Sequence, residues 1–216
     1  MQSGIRVIGP PGSGKSTLAK VLAGQTGMNF IEQDFFHNLA IAETGMPRYF
    51  PSDIPKEEVS RLKAERRRVA YPKMVEMLKN AIGKSEQPFV LEGAMTTCEY
   101  MNEIEELYDA IVFVDTPFDV RKQRIEKRNA DDQEICARCI DKTMEYENGV
   151  SNPMNSRVCD EEWMQRKKQA NGCQIIKLDG TQTTEKMIEE LAQQYPAVLE
   201  MLQRSHKKAG GLDGTE

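Results

Sequence analysis

Short runs of apolar, often β-branched residues recur along this chain. Between them lie longer stretches in which apolar positions return every three or four residues. Ile5-Arg6-Val7-Ile8 stops at Gly9 and reads as a buried strand entering a loop. From Ser16 to Ala23, Leu18, Val21 and Leu22 fall at helical spacing, and Gly24 and Gly27 end the pattern. Met28 to Gln33 is a second short strand candidate that runs into Asp34. The stretch from Phe35 to Pro55 lacks clear periodicity and holds Gly45, Pro47, Pro51 and Pro55, so an excursion with little regular structure is expected there. Glu57 to about Gly83 is strongly helical, with a kink or a break expected at Pro72. Pro88 to Gly93 and Ala110 to Asp115 are continuous apolar runs, as in parallel strands covered on both faces. Phe118 to about Arg128 reads as a helix, Asp131 to Gly149 as a polar helix, and Val150 to about Arg157 as a polar break. Gln174 to Leu178 is a fifth strand, and Thr184 to Leu202 a last helix. Strands alternating with helices imply a parallel sheet with right-handed crossovers.

Composition narrows the class. The 216 residues suit one domain, with 39% apolar residues for a core, 29% charged residues and a mean hydropathy of −0.59. A net charge of −5 argues against a duplex-binding face, so no nucleic-acid partner is expected. No apolar run approaches the roughly 18 residues that cross a membrane, and Met1-Gln2-Ser3-Gly4 runs straight into a strand without a secretory pattern. The five cysteines are an odd number and read as reduced thiols, which points to a cytoplasmic protein.

The chemistry is concentrated in Gly9-Pro10-Pro11-Gly12-Ser13-Gly14-Lys15-Ser16-Thr17, which meets the phosphate-loop pattern G-x-x-x-x-G-K-[ST]. It follows a predicted strand and opens a predicted helix, the context the pattern requires. Its glycines let the backbone approach phosphate oxygens, and successive N–H groups point inward at a helix N-terminus, where the dipole favours anions. Lys15 is expected at the β- and γ-phosphates of ATP, Ser16 on Mg²⁺, and Thr17 near the α-phosphate. An Asn-Lys-x-Asp guanine motif is absent, which disfavours a GTPase. No strand closes on Asp-Glu, and the chain is short for a motor, which sets aside a motor or AAA-type ATPase.

Four pieces in order carry a resemblance. They are the phosphate loop; Gln33-Asp34-Phe35-Phe36 after the second strand; Glu92-Gly93 closing the third; and Val112 to Thr116 with Asp119-Val120-Arg121, Arg124 and Arg128. From Ile5 to Arg128 the chain resembles the P-loop small-molecule kinases, most closely the uridine kinase and phosphoribulokinase group. It departs from that group after Arg128, where Asn129-Ala130-Asp131 stands in place of the usual Arg-Asp pair. The resemblance implies a P-loop α/β/α fold with a five-stranded parallel sheet in order 2-3-1-4-5. The domain would span residues 1–204, with a helical lid within about 129–163 and a mobile tail over 205–216. It also implies ATP- and Mg²⁺-dependent transfer of a phosphoryl group to a hydroxyl of a nucleoside-like small molecule. A nucleoside monophosphate kinase with a phosphate acceptor, and an ATP-binding regulatory module, remain as alternatives.

On that resemblance Asp34 faces the acceptor hydroxyl as general base or orienting group, against the plainer reading of a loop acid capping nearby N–H groups. Glu92, closing an apolar strand, can hold Mg²⁺-bound water or an acceptor hydroxyl, or pair structurally with a lysine. Arg121, Arg124 and Arg128 lie at i, i+3 and i+7, one stripe that can clamp phosphates or simply face solvent. Arg124 and Arg128 fit the resemblance best and join Lys15 and Asp34 as catalytic candidates. Phe36 and Arg48, with Phe35, His37, Tyr49 and Phe50, suit an acceptor pocket or the packing of a loop. Arg66-Arg67-Arg68 reads mostly as a solvated face. Asp115 is expected to cap the helix that starts near Phe118. Cys136 and Cys139 have metal-ligand spacing, but a second pair is missing and free thiols are the default. Asp179-Gly180-Thr181 is expected to back the adenine.

Overall fold

The computed structural model describes residues 4–48, 50, 54–84, 87–93, 104, 107–148, 157–171 and 173–210. Five strands form one all-parallel sheet: β1 (Gly4–Ile8), β2 (Asn29–Glu32), β3 (Phe89–Glu92), β4 (Ala110–Asp115) and β5 (Gln174–Asp179). Their order is β2-β3-β1-β4-β5, as the sequence leads one to expect. Registers such as Val7 opposite Glu92 and Glu32 opposite Glu92 bring the carboxyl ends of β1, β2 and β3 to one edge. Ligands of open α/β sheets bind at that edge.

Strand alternation sorts the core into two layers. Ile5, Val7, Val90, Val112, Val114, Ile176 and Leu178 face α1 (Lys15–Thr26), α7 (Thr184–Gln194) and α8 (Pro196–Gly210). Ile8, Phe89, Leu91, Ile111 and Phe113 face the other layer, where α2 (Gln33–Glu43), α3 (Lys56–Gly83) and α6 (Arg157–Asn171) pack. The remaining helices, α4 (Phe118–Arg128) and α5 (Gln133–Asn148), pack on each other beside the phosphate loop. No helix of the described residues is long and apolar enough to cross a membrane.

Several helical expectations are corrected. The stretch after Asp34 is not irregular at first: α2 occupies Gln33–Glu43. Its apolar positions Phe36, Ala40 and Ile41 recur at helical spacing and pack on the core, a signal that the prolines downstream obscured. Pro72 lies inside one continuous α3, because Ala70, Met74, Leu78 and Ile82 recur every four residues and keep one face buried through the proline. The expected last helix is two, α7 and α8, divided at Tyr195-Pro196, with Pro196 at the first position of α8, where its missing N–H is no loss.

Helices α5 and α6 lie within or overlap the 129–163 span in which a lid is expected, and Trp163 and Met164 of α6 are buried in the core. The expected tail from residue 205 begins inside α8, which continues to Gly210 on the strength of Val198, Met201 and Leu202 packing against α1 and α7. Asp115 does not cap α4 as expected; the cap position is Pro117, with no side-chain cap bond.

Candidate functional site

The loop between β1 and α1 wraps the N-terminus of α1. Gly12 has φ 79°, and a Cβ there would lie 2.9 Å from the Arg121 carbonyl, so both backbone shape and the closeness of α4 require glycine. Gly14, with φ 98°, occupies the cap position of α1 with no side-chain cap, which leaves the helix N-terminus to an anion. Gly9, Pro10 and Ser13 are buried, Pro11 and Gly12 are half-buried, and Thr17 is exposed on the first turn of the helix.

Lys15 and Ser16 meet Glu92. The Ser16 hydroxyl donates to Glu92 Oε1 at 3.0 Å, and the Lys15 ammonium stands 3.6 Å from the same oxygen. Glu92 is buried at the end of β3, while Lys15 keeps 14% of its side chain exposed. A buried carboxylate is tolerable here because it has a cation and a hydroxyl beside it. The lysine partner expected on the structural reading of Glu92 is Lys15.

Asp34 is exposed in the first turn of α2, at the carboxyl end of β2. Its neighbour Gln33 is buried and accepts a hydrogen bond from Arg6 Nη2. Gly93 lets this happen, since a Cβ there would collide with the Gln33 side chain. Arg6 is buried in the central strand. Burial pulls its guanidinium below the ordinary arginine range, while Tyr108, Glu92, Asp160 and Asp34 pull it back. Arg6 and Gln33 are the site's neighbours that sequence reasoning missed. The signal was an arginine within an otherwise apolar buried strand, which demands polar company.

The arginine stripe of α4 divides into three. Arg121 is fully buried; its Nε donates to the Thr116 carbonyl at 2.9 Å, Nη1 to the Pro11 carbonyl at 3.5 Å, and Nη2 to Glu147 of α5. Arg124 is half-buried; its Nη1 donates to the carbonyls of Gly12 and Ser13 at 3.4 and 3.1 Å, and its Nη2 to that of Gly180 at 2.8 Å. Arg128 is exposed at the end of the helix. Thr116, also missed in the sequence, is buried with its hydroxyl donating to the Ser13 carbonyl at 3.0 Å.

The aromatics near the end of β2 divide between the core and the surface. Phe36 packs against the core, whereas Phe35, edge-on to it at 5.3 Å, is 59% exposed beside Asp34. The His37 ring packs edge-on to Tyr71 at 5.4 Å, and burial holds its imidazole below the ordinary histidine range. Arg48 is exposed, and its carbonyl accepts from Arg66 at 2.8 Å. Arg66 also donates to the Pro47 carbonyl at 2.7 Å and covers the Phe50 ring at 5.0 Å. Tyr49 lies outside the described residues. Cys136 and Cys139 are free thiols on α5, and no group of three or more metal-ligating side chains occurs among the described residues.

The family model described as an AAA domain matches residues 5–147, from the first residues of β1 to Glu147. The chain belongs to the AAA domain family. The expectation that set aside a motor or AAA-type ATPase is thereby corrected as to family. It rested on a missing Asp-Glu pair and on the short chain, and in this AAA domain the third strand closes on the single carboxylate Glu92. No curated protein matches the chain by sequence. Among solved structures, the domain is similar to a sugar kinase from Janibacter sp. HTCC2649, with 21% identity and a TM-score of 0.49 over 92% of this chain and 98% of that one. A gluconokinase from Sinorhizobium meliloti 1021 matches with 18% identity and a TM-score of 0.46 over 98% and 97%.

Proposed function

We propose that this domain binds ATP on its phosphate loop and transfers the γ-phosphoryl group to a hydroxyl of a small, nucleoside-like molecule. The observation that carries the reading is the convergence of the Lys15 ammonium and the Ser16 hydroxyl on one oxygen of Glu92, at the mouth of a glycine loop that opens a helix. A triphosphate brings its own negative charge, so Lys15 exchanges a carboxylate for phosphate oxygens without leaving its place. Ser16 and Glu92 are hard oxygen donors, the set that Mg²⁺ takes, and they would hold the ion directly or through water; its chemistry there would be neutralisation of phosphate charge.

Asp34 stands exposed at the same sheet edge and is free to accept or orient the acceptor hydroxyl's proton. Phe35, exposed in the same turn, offers a flat apolar face to a ring of the acceptor, which supports the nucleoside-like reading. Arg66 is engaged by loop carbonyls, which weighs against a phosphate acceptor in that region. Arg124 stays half-buried against the loop, close enough to add positive charge as transfer proceeds. Catalysis on this reading is positioning and charge neutralisation, without a covalent intermediate.

The test is a coupled ADP-release assay with ATP and Mg²⁺ against nucleosides, nucleotides, sugars and vitamin precursors. Acceptor-dependent release with one compound class is expected. Lys15→Ala should abolish it, and Asp34→Asn should lower turnover by about a hundredfold or more, the scale of lost general-base catalysis. ATP binding with no acceptor stimulating release would favour a regulatory module instead. Full activity in Lys15→Ala would remove the phosphate-loop assignment.

A further inference from the structure

Three consecutive carbonyls of the phosphate loop are held from behind. Pro11 accepts from Arg121, Gly12 from Arg124, and Ser13 from both Arg124 and Thr116. A planar trans peptide ties each carbonyl to the N–H of the next residue, pointing the opposite way. Fixing the Pro11 carbonyl therefore aims the Gly12 N–H, and fixing the Ser13 carbonyl aims the Gly14 N–H. The Ser13 N–H is fixed separately, in a turn onto the Pro10 carbonyl at 3.2 Å.

Arg121 differs from its neighbours on the stripe in being wholly enclosed, so it has no path to a bound phosphate. Its planar guanidinium reaches three elements at once: the loop at Pro11, the end of β4 at Thr116, and α5 at Glu147. Its ring neighbour is Phe118, 5.7 Å from the guanidinium carbon. Its own backbone carbonyl is the surface against which Gly12 packs. Glu147, only partly exposed, supplies the charge that makes a buried guanidinium tolerable.

We infer that Arg121 is a positioning residue that pre-sets the phosphate loop for a β-phosphate, and that Glu147 makes α5 part of the same brace. The inference rests on the reading of the loop as a nucleotide site. In chemical terms, the brace moves the ordering of the loop from the moment of binding into the folded protein, which strengthens binding without touching ligand. Its signature is selective: nucleotides that carry a β-phosphate gain from it, and a monophosphate does not.

Arg121→Lys is the informative variant, because it keeps the charge opposite Glu147 but cannot donate in three directions from one plane. Two measurements on the full chain decide the matter. Amide hydrogen exchange of the apo protein should show the peptide containing Gly12 to Lys15 exchanging about tenfold faster, with β3, α3 and α7 unchanged, as local loosening rather than global unfolding predicts. Titration with ADP, ATP and AMP should show ADP and ATP bound about tenfold more weakly, with AMP unaffected. Glu147→Gln should shift both readouts in the same direction by less.

Loop exchange at the wild-type rate in Arg121→Lys would overturn the inference. So would weakening of all three nucleotides alike with faster exchange everywhere, which is what a merely structural residue gives. Glu147→Gln without effect would remove α5 from the brace. Should the wild-type chain bind none of the nucleotides, the nucleotide-site reading fails on its own, and the exchange measurement still decides whether Arg121 orders the loop.

Discussion

Arg6 shows how much one side chain can organise. A guanidinium in the middle strand of a covered sheet has to find acceptors or it will not fold. The acceptor it finds is Gln33, the first residue of α2, and the next residue along is Asp34. The candidate base is thus carried on a turn anchored from inside the sheet, although it faces solvent. His37 lies one turn further along α2. Burial pulls its imidazole down, Asp34 opposes that pull, and Arg66, Arg48 and Arg67 reinforce it. The unfolded chain takes up the proton near the ordinary histidine value of about 6.5, whereas the folded chain resists until lower pH. In that window the unfolded state binds more protons, so the stability His37 contributes is present above the window and lost as pH falls through it. His37→Gln should flatten the fall in stability below about pH 6.5, read as the difference between variant and wild type in urea melts at a series of pH values. Parallel pH curves for the two proteins would assign the titration elsewhere.

At the scale of elements, α3 poses a testable conflict between local propensity and packing. Pro72 removes an intrahelical hydrogen bond and carries a mid-helix penalty of up to about 3 kcal/mol. Its side chain is exposed, while Met74, Val75 and Leu78 just beyond it are buried. Packing of that stripe holds the helix together across the proline. Pro72→Ala should therefore raise stability by about 1–3 kcal/mol, measured by urea unfolding; a loss of stability would mean that the proline's local geometry is needed to seat the Met74 face. The same contest explains what was legible in the sequence. Strands β3 and β4 were readable because continuous apolar runs have few alternatives in a covered sheet. Helix α2 was not, because Gly45 and Pro47 beyond its end dominated the local signal. The division at Pro196 was missed because apolar spacing continues on both sides of it, through Leu191 and Val198. The phosphate loop was legible because its chemistry is local. The contacts of Arg121 and Arg124 were not, since Pro11, Gly12, Ser13 and Gly180 come together through the β1-β4-β5 arrangement and Glu147 through the packing of α5 on α4.

For the molecule as a whole, the placement of the site makes ligand binding and folding one equilibrium. The phosphate loop joins β1 to α1, its back is held by residues of β4 and α4, and Gly180 after β5 closes the ring. Glu92 brings in β3, and Gln33 brings in α2 through Arg6. A ligand seated on the loop therefore favours the native state of the entire sheet edge, and none of this arrangement survives in the unfolded chain. Linkage then sets the size of the effect: at a hundred times its dissociation constant, ATP with Mg²⁺ should stabilise the fold by about 2.7 kcal/mol. For a chain of this length that is a rise in Tm of roughly 5–11 °C. Lys15→Ala should show little of the rise, since it loses the cation that meets the phosphates. Glu92→Gln should keep part of the rise with nucleotide alone but lose the increment that Mg²⁺ adds, because an amide oxygen is a much poorer ligand for a hard dication than a carboxylate. A thermal-shift series over the four combinations of nucleotide and Mg²⁺ separates these outcomes. An equal rise in all three proteins would place the nucleotide away from the loop, and an Mg²⁺ increment undiminished in Glu92→Gln would leave Ser16, without Glu92, as the protein's contribution to the ion.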